Sequence, residues 1–118
     1  MSTKKDFEKN EAAYRIESDS IGSKKVPIDA YYGVQSLRGA ENFPITGNHL
    51  HPEMIRSLAR LKKACAIANA NAGVLDEKVA GAIEEACDRI VAGRYHDAFI
   101  VDPVQGSAGT SINMNANE

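Results

Sequence analysis

Two long stretches of helical periodicity leave this chain the least freedom. Met54, Leu58, Leu61, Cys65, Ala68 and Ala72 recur at spacings of 4, 3, 4, 3 and 4, which lays one apolar stripe along an α-helix. Pro52 suits the first turn, where the missing N–H of proline would be unpaired anyway, and Gly73 suits the end. A second stripe of Val79, Ile83, Cys87 and Ile90, with Val91 beside it, follows Asp76 as a cap and stops at Gly93. Each helix is apolar on one face, and the linker between them is short. The pattern predicts an antiparallel αα-hairpin with one stripe packed on the other.

Ahead of this pair, residues 1–13 (MSTKKDFEKNEAA) are polar and of mixed charge, and read as a solvated leader. From Tyr14 to Val26 a short apolar-polar alternation surrounds Gly22-Ser23, as in a small β-hairpin. Val26 should be extended because the ring of Pro27 disfavours helix before it. Asp29 is placed to cap a short helix in AYYGVQSLRGAENF, weakened by Gly33 and Gly39. After Arg94 the character changes. A compact apolar run, Ala98 to Val101, is broken by Pro103, and QGSAGTSINMNANE follows with Ile112 and Met114 as its large apolar residues.

Several function classes are disfavoured early. The 14 basic residues are scattered and the net charge is −2, which is no electrostatic footprint for nucleic acid or an anionic membrane. The leader lacks the apolar stretch of a secretory signal, and no segment is long enough to span a bilayer. Cys65 and Cys87 show no metal-ligand spacing and are expected to be buried as small hydrophobes. The location expected is cytoplasmic.

The segment Gln105–Glu118 is chemically unusual. Gly106 and Gly109 allow close backbone approach to a ligand, Thr110 and Ser111 bring hydroxyls, and Asn113, Asn115 and Asn117 bring amides. A glycine-rich turn opening a helix can hold an anion, since the free N–H groups and the helix dipole favour negative charge there. No lysine follows the second glycine, so it is not a Walker loop. A polar loop with a helix cap explains the same spacing. Other candidates read more simply as structure: His49 and His51 as turn residues rather than a metal pair, His96-Asp97 as surface loop, and Arg38 as the partner of an internal acid.

RIESDSIG, VPIDAYYGVQSLRGAENFPI, LKKACAIANANAG and QGSAGTSINMNANE occur in that order. On these segments the chain resembles the aspartase/fumarase superfamily from Tyr14 to Glu118. Tyr31-Tyr32-Gly33, Ala108 and Ser111 stand where fumarases tend to carry Tyr-Trp-Gly, serine and glutamine, so the likeness is to the aspartase side. Ser107 and Ile112 depart from many aspartases without touching Thr110.

The resemblance implies a mainly α fold: a small N-terminal β-hairpin, a short helix and an antiparallel helix pair, forming the first domain over residues 14–118. It implies reversible conversion of L-aspartate to fumarate and ammonia, with no organic cofactor and no metal-binding residue in this segment, in a cytoplasmic homotetramer. Thr110 matches the threonine that hydrogen-bonds the substrate carboxylate. Ala108 and Gly109 would shape the loop, with Ser111 and Asn113 in support. The catalytic serine base of the family lies far downstream of these motifs, so the 118-residue segment is expected to be a truncated, inactive part. The rivals are a fumarate hydratase and a non-catalytic helical interaction module.

Overall fold

The computed structural model describes residues 13–118, and all but the last residue of the polar leader lies outside them. Strands β1 (Tyr14–Asp19) and β2 (Gly22–Pro27) form an antiparallel hairpin in which Asp19 stands opposite Gly22. The connection is therefore Ser20-Ile21, two residues before the expected turn. Gly22 closes it rather than centring it, at a φ of +134° that glycine adopts freely, while Asp19 Oδ1 accepts the Ile21 N–H.

The short helix α1 (Val34–Asn42) starts five residues after Asp29, which does not cap it. Arg15 explains the delay. Its guanidinium donates to the carbonyls of Pro27, Ile28 and Tyr32, holding the segment before α1 in a turn. The N-cap is Gly33, which has no side chain to offer. Remote carboxylates serve the first turn instead: Glu17 accepts from Val34 N–H, and Glu118 from the N–H groups of Gly33, Gln35 and Ser36. Arg38 pairs with Asp19 at 2.9 Å, the internal-acid role expected of it.

Helices α2 (Pro52–Asn71) and α3 (Glu77–Val91) form the antiparallel pair. Arg56 donates to the Val91 carbonyl near one end, and Lys63, two turns further along α2, bridges to Asp88. Pro52 is at N1, Asp76 caps α3 through its side chain, and Gly73 and Gly93 take positive φ just past the helix ends. His51 caps α2, its Nδ1 accepting the Glu53 N–H, which makes it a turn residue.

The buried seam differs from the one read off the spacing. Ile55, Ala59 and Ala66 are buried on α2, and Ala80 and Cys87 on α3, whereas Met54 and Leu61 are 45% and 57% exposed and Val79 is 48% exposed. Cys65, expected inside, is exposed. In an alanine-rich helix several stripes share the 3–4 spacing. Close helix contact selects the one with small side chains, because interaxial distance depends on what lies between.

Helix α4 (Thr110–Asn117) completes the fold. It delivers Ile112 to a core of Leu50, Ile55, Phe99 and Val101, with Leu58, Ile90 and Ala116 packed around it. Leu50 and Ile55 are the N′ and N4 residues of α2, a hydrophobic staple that fixes how the chain enters that helix. Among the described residues no helix is long and apolar enough to cross a membrane.

Candidate functional site

The loop between the core run 99–101 and α4 is anchored at its start by one carboxylate. Asp102 is 6% exposed. Its Oδ2 accepts from the Thr46 N–H and hydroxyl and from Gly47 N–H, and its Oδ1 from Val104 N–H. Burial works to raise this carboxyl, but the bonds from Val104, Thr46 and Gly47 outweigh it and hold it below its ordinary 3.8. Such a group stabilises the fold fully above its unfolded pKa, and the contribution is lost as pH falls through the lower folded value. The thermal midpoint of the wild type is expected to drop below about pH 4. Asp102→Asn should start lower at neutral pH and lose less over that interval. Equal acid slopes for the two proteins would remove Asp102 as the responsible group.

Beyond Pro103 the backbone does something unusual. Ser107, Ala108 and Gly109 all take positive φ, at 48°, 57° and 89°. Glycine accepts this, but side chains at the first two positions are strained by roughly 1–2 kcal/mol each. This left-handed run turns the chain into α4, whose N-cap is Gly109 and whose first residue is Thr110. The first N–H groups of a helix have no partner within it. That of Ile112 is taken by Gln105 Oε1. Thr110 and Ser111 stand beside an open cleft of about 280 Å³, walled by Gly39, Phe43, Val101, Asp102 and the loop itself. The Thr110 hydroxyl donates to the Ser107 carbonyl at 2.8 Å, and the residue is exposed. A hydroxyl and a helix start on one cleft can receive an anionic oxygen.

The four residues singled out in the sequence, Ala108, Gly109, Thr110 and Ser111, are consecutive on this turn, while Asn113 and Asn115 are turned to other work. Asn113 Oδ1 accepts from Lys62 on α2 at 2.6 Å. Asn115 is buried and joins α4 to the backbone of residues 98–101. His96 places Nε2 2.9 Å from the Ile90 carbonyl. No group of three or more His, Cys, Asp or Glu side chains that could hold a metal occurs among the described residues. Sequence reasoning missed Asp102 and Gln105, which shape the cleft. Their signal was faint: an acid and an amide flanking Pro103, in a run otherwise apolar.

The family model described as Lyase matches residues 22–118, and the chain belongs to that family. It is 58% identical over 104 residues to an aspartate ammonia-lyase of Bacillus sp, covering 88% of this chain and 22% of the relative. To a class II fumarate hydratase of Halobacterium salinarum it is 49% identical, covering 89% of this chain and 22% of the relative. Among solved structures, a fumarate lyase:delta crystallin from Brucella melitensis in native form matches with a TM-score of 0.85 at 47% identity, over 88% of this chain and 25% of that one. The chain spans about a fifth of the length of the curated relatives it matches.

Proposed function

We propose that this segment is the first domain, over residues 14–118, of an aspartate ammonia-lyase that interconverts L-aspartate with fumarate and ammonia. The observation that carries the reading is the left-handed run Ser107–Gly109, which sets Thr110 at a helix start on the edge of a cleft. In this role Thr110 donates its hydroxyl to the substrate carboxylate next to the carbon that loses a proton. Deprotonation turns that carboxylate into an aci-carboxylate with added charge on its oxygens. A donor aimed there stabilises the transition state more than the ground state. Ala108 and Gly109 set the direction of the hydroxyl, and Ser111 supports it from the next position. The proton acceptor and the amino-group ligands come from other parts of the full-length protein, a cytoplasmic homotetramer that works without an organic cofactor. The similarity to the Bacillus sp lyase supports this reading.

Fumarate hydration is the second reading, favoured by the 49% identity to the Halobacterium salinarum enzyme. One assay separates the two. The full-length protein should form fumarate, followed by its ultraviolet absorbance, from aspartate and not from malate. Malate as the sole productive substrate would replace the lyase by the hydratase. The isolated 118-residue chain should form no fumarate from either, and turnover by it would show that the cleft already holds a proton acceptor.

A further inference from the structure

We infer that Glu118 is a positioning residue, which sets the Thr110 turn by clamping α4, two turns on from Thr110, to the start of α1. The inference rests on the lyase reading of that turn. The Glu118 carboxylate accepts four hydrogen bonds from α1: Gly33 N–H at 2.7 Å, Gln35 N–H at 2.9 Å, Ser36 N–H at 3.0 Å and the Ser36 hydroxyl at 2.6 Å. Ser36 is 1% exposed, so its hydroxyl is committed to this contact. Gly33 leaves the necessary room, since a Cβ there would come within 2.8 Å of the carboxylate carbon. A single cap would be satisfied by less: an N-cap side chain ordinarily serves one or two amides.

The two helices are antiparallel, and they meet at both ends. Glu118 touches the first turn of α1, while Gly39 near the end of α1 faces Ser111, whose Oγ would lie 3.5 Å from an added Cβ. Gly39 and Phe43 also wall the cleft. Thr110 and Glu118 stand two turns apart on α4, about 12 Å along its axis, so the stretch between them acts as a short rod. Fixing it at Glu118 against α1 fixes the angle at which its N-terminal end presents Thr110 to a cleft that α1 partly builds. Glu118 does not line that cleft, so it acts through Thr110 and not on the substrate.

The test uses the full-length protein with aspartate, in a double-mutant cycle. Glu118→Gln, which cannot accept all four bonds, should lower kcat about tenfold with little change in KM, a fraction of the hundredfold that a misplacement of about 1 Å can cause. Ser36→Ala, losing one donor, should lower it less and in the same direction. In a Thr110→Ala background Glu118→Gln should add less than about a twofold loss, because the hydroxyl it positions is gone. A purely structural role would leave the two losses multiplicative, and that result, or an unchanged kcat in Glu118→Gln, would overturn the inference. Amide hydrogen exchange gives a readout independent of turnover. Glu118→Gln should speed exchange at Gly33, Gln35 and Ser36 and also at Thr110, Ser111 and Ile112. Faster exchange at α1 alone would sink the positioning role. Absence of turnover on aspartate and malate by the wild type would instead remove the lyase reading, leaving exchange to decide the clamp.

Discussion

On the lyase reading, Thr110→Ala in the full-length protein is expected to lower kcat roughly a hundredfold or more, with its assembly state unchanged. Loss of one donor from the place where charge develops typically costs about 3 kcal/mol of transition-state stabilisation. Thr110→Ser keeps the donor, loses only a methyl, and should retain much of the activity. Thr110→Val keeps the shape, cannot donate, and should be no better than alanine. In the structure the hydroxyl donates to the Ser107 carbonyl, in an exposed bond that closes the left-handed run. A hydroxyl carries one proton, so it must rotate from that carbonyl to serve a carboxylate. The two duties separate by measurement. An exposed bond contributes little to stability, about 1 kcal/mol at most, so the thermal midpoint should move by only a few degrees while kcat collapses. Near-normal turnover in Thr110→Val would make Thr110 a packing residue of the loop.

What could be read in the sequence was local. Pro52, Asp76, Gly73 and Gly93 mark helix ends by backbone chemistry that acts within a few residues, and the structure places the ends of α2 and α3 there. The turn at Thr110 was legible for the same reason, since its glycines and hydroxyls are contiguous. What escaped was tertiary. The start of α1 is capped by a carboxylate 82 to 85 residues away, so no window around Asp29 contained the answer. The seam of the helix pair was displaced to small side chains because Ala59, Ala66 and Ala80 carry no strong hydrophobic signal, although they are what lets two helices approach. Met54, Leu61 and Val79, the larger residues, stay exposed on the described surface. An apolar groove of about 410 Å³ also lies open between α2, α3 and the C-terminal part of α4. Arg38, by contrast, was weighed correctly because a lone arginine near apolar neighbours has few ways to be satisfied.

Asn115 is where a polar residue of the signature segment proves to be part of the core. It is 5% exposed. Its Oδ1 accepts from Ile100 N–H at 2.9 Å and Val101 N–H at 3.3 Å, and its Nδ2 donates to the Ala98 carbonyl at 3.0 Å. The run 98–101 belongs to no sheet, so this one amide supplies partners that a neighbouring strand would otherwise give. Asn115→Leu fills the same space and leaves those backbone groups unpaired. Each unsatisfied buried group costs about 1–3 kcal/mol, so a loss of about 3 kcal/mol or more is expected, or a thermal midpoint lower by more than about 10 °C. Asn115→Asp keeps the oxygen that accepts both N–H groups but turns a second carboxylate oxygen toward the Ala98 carbonyl. Its charged form is disfavoured there, its pKa should rise, and the variant should regain ground on the wild type as pH falls and the carboxyl becomes a donor. Melting curves of the three proteins between about pH 4 and 7 decide the matter. A leucine variant that melts within a few degrees of the wild type would mean that residues 98–101 are held by the packing of Phe99 and Val101 alone.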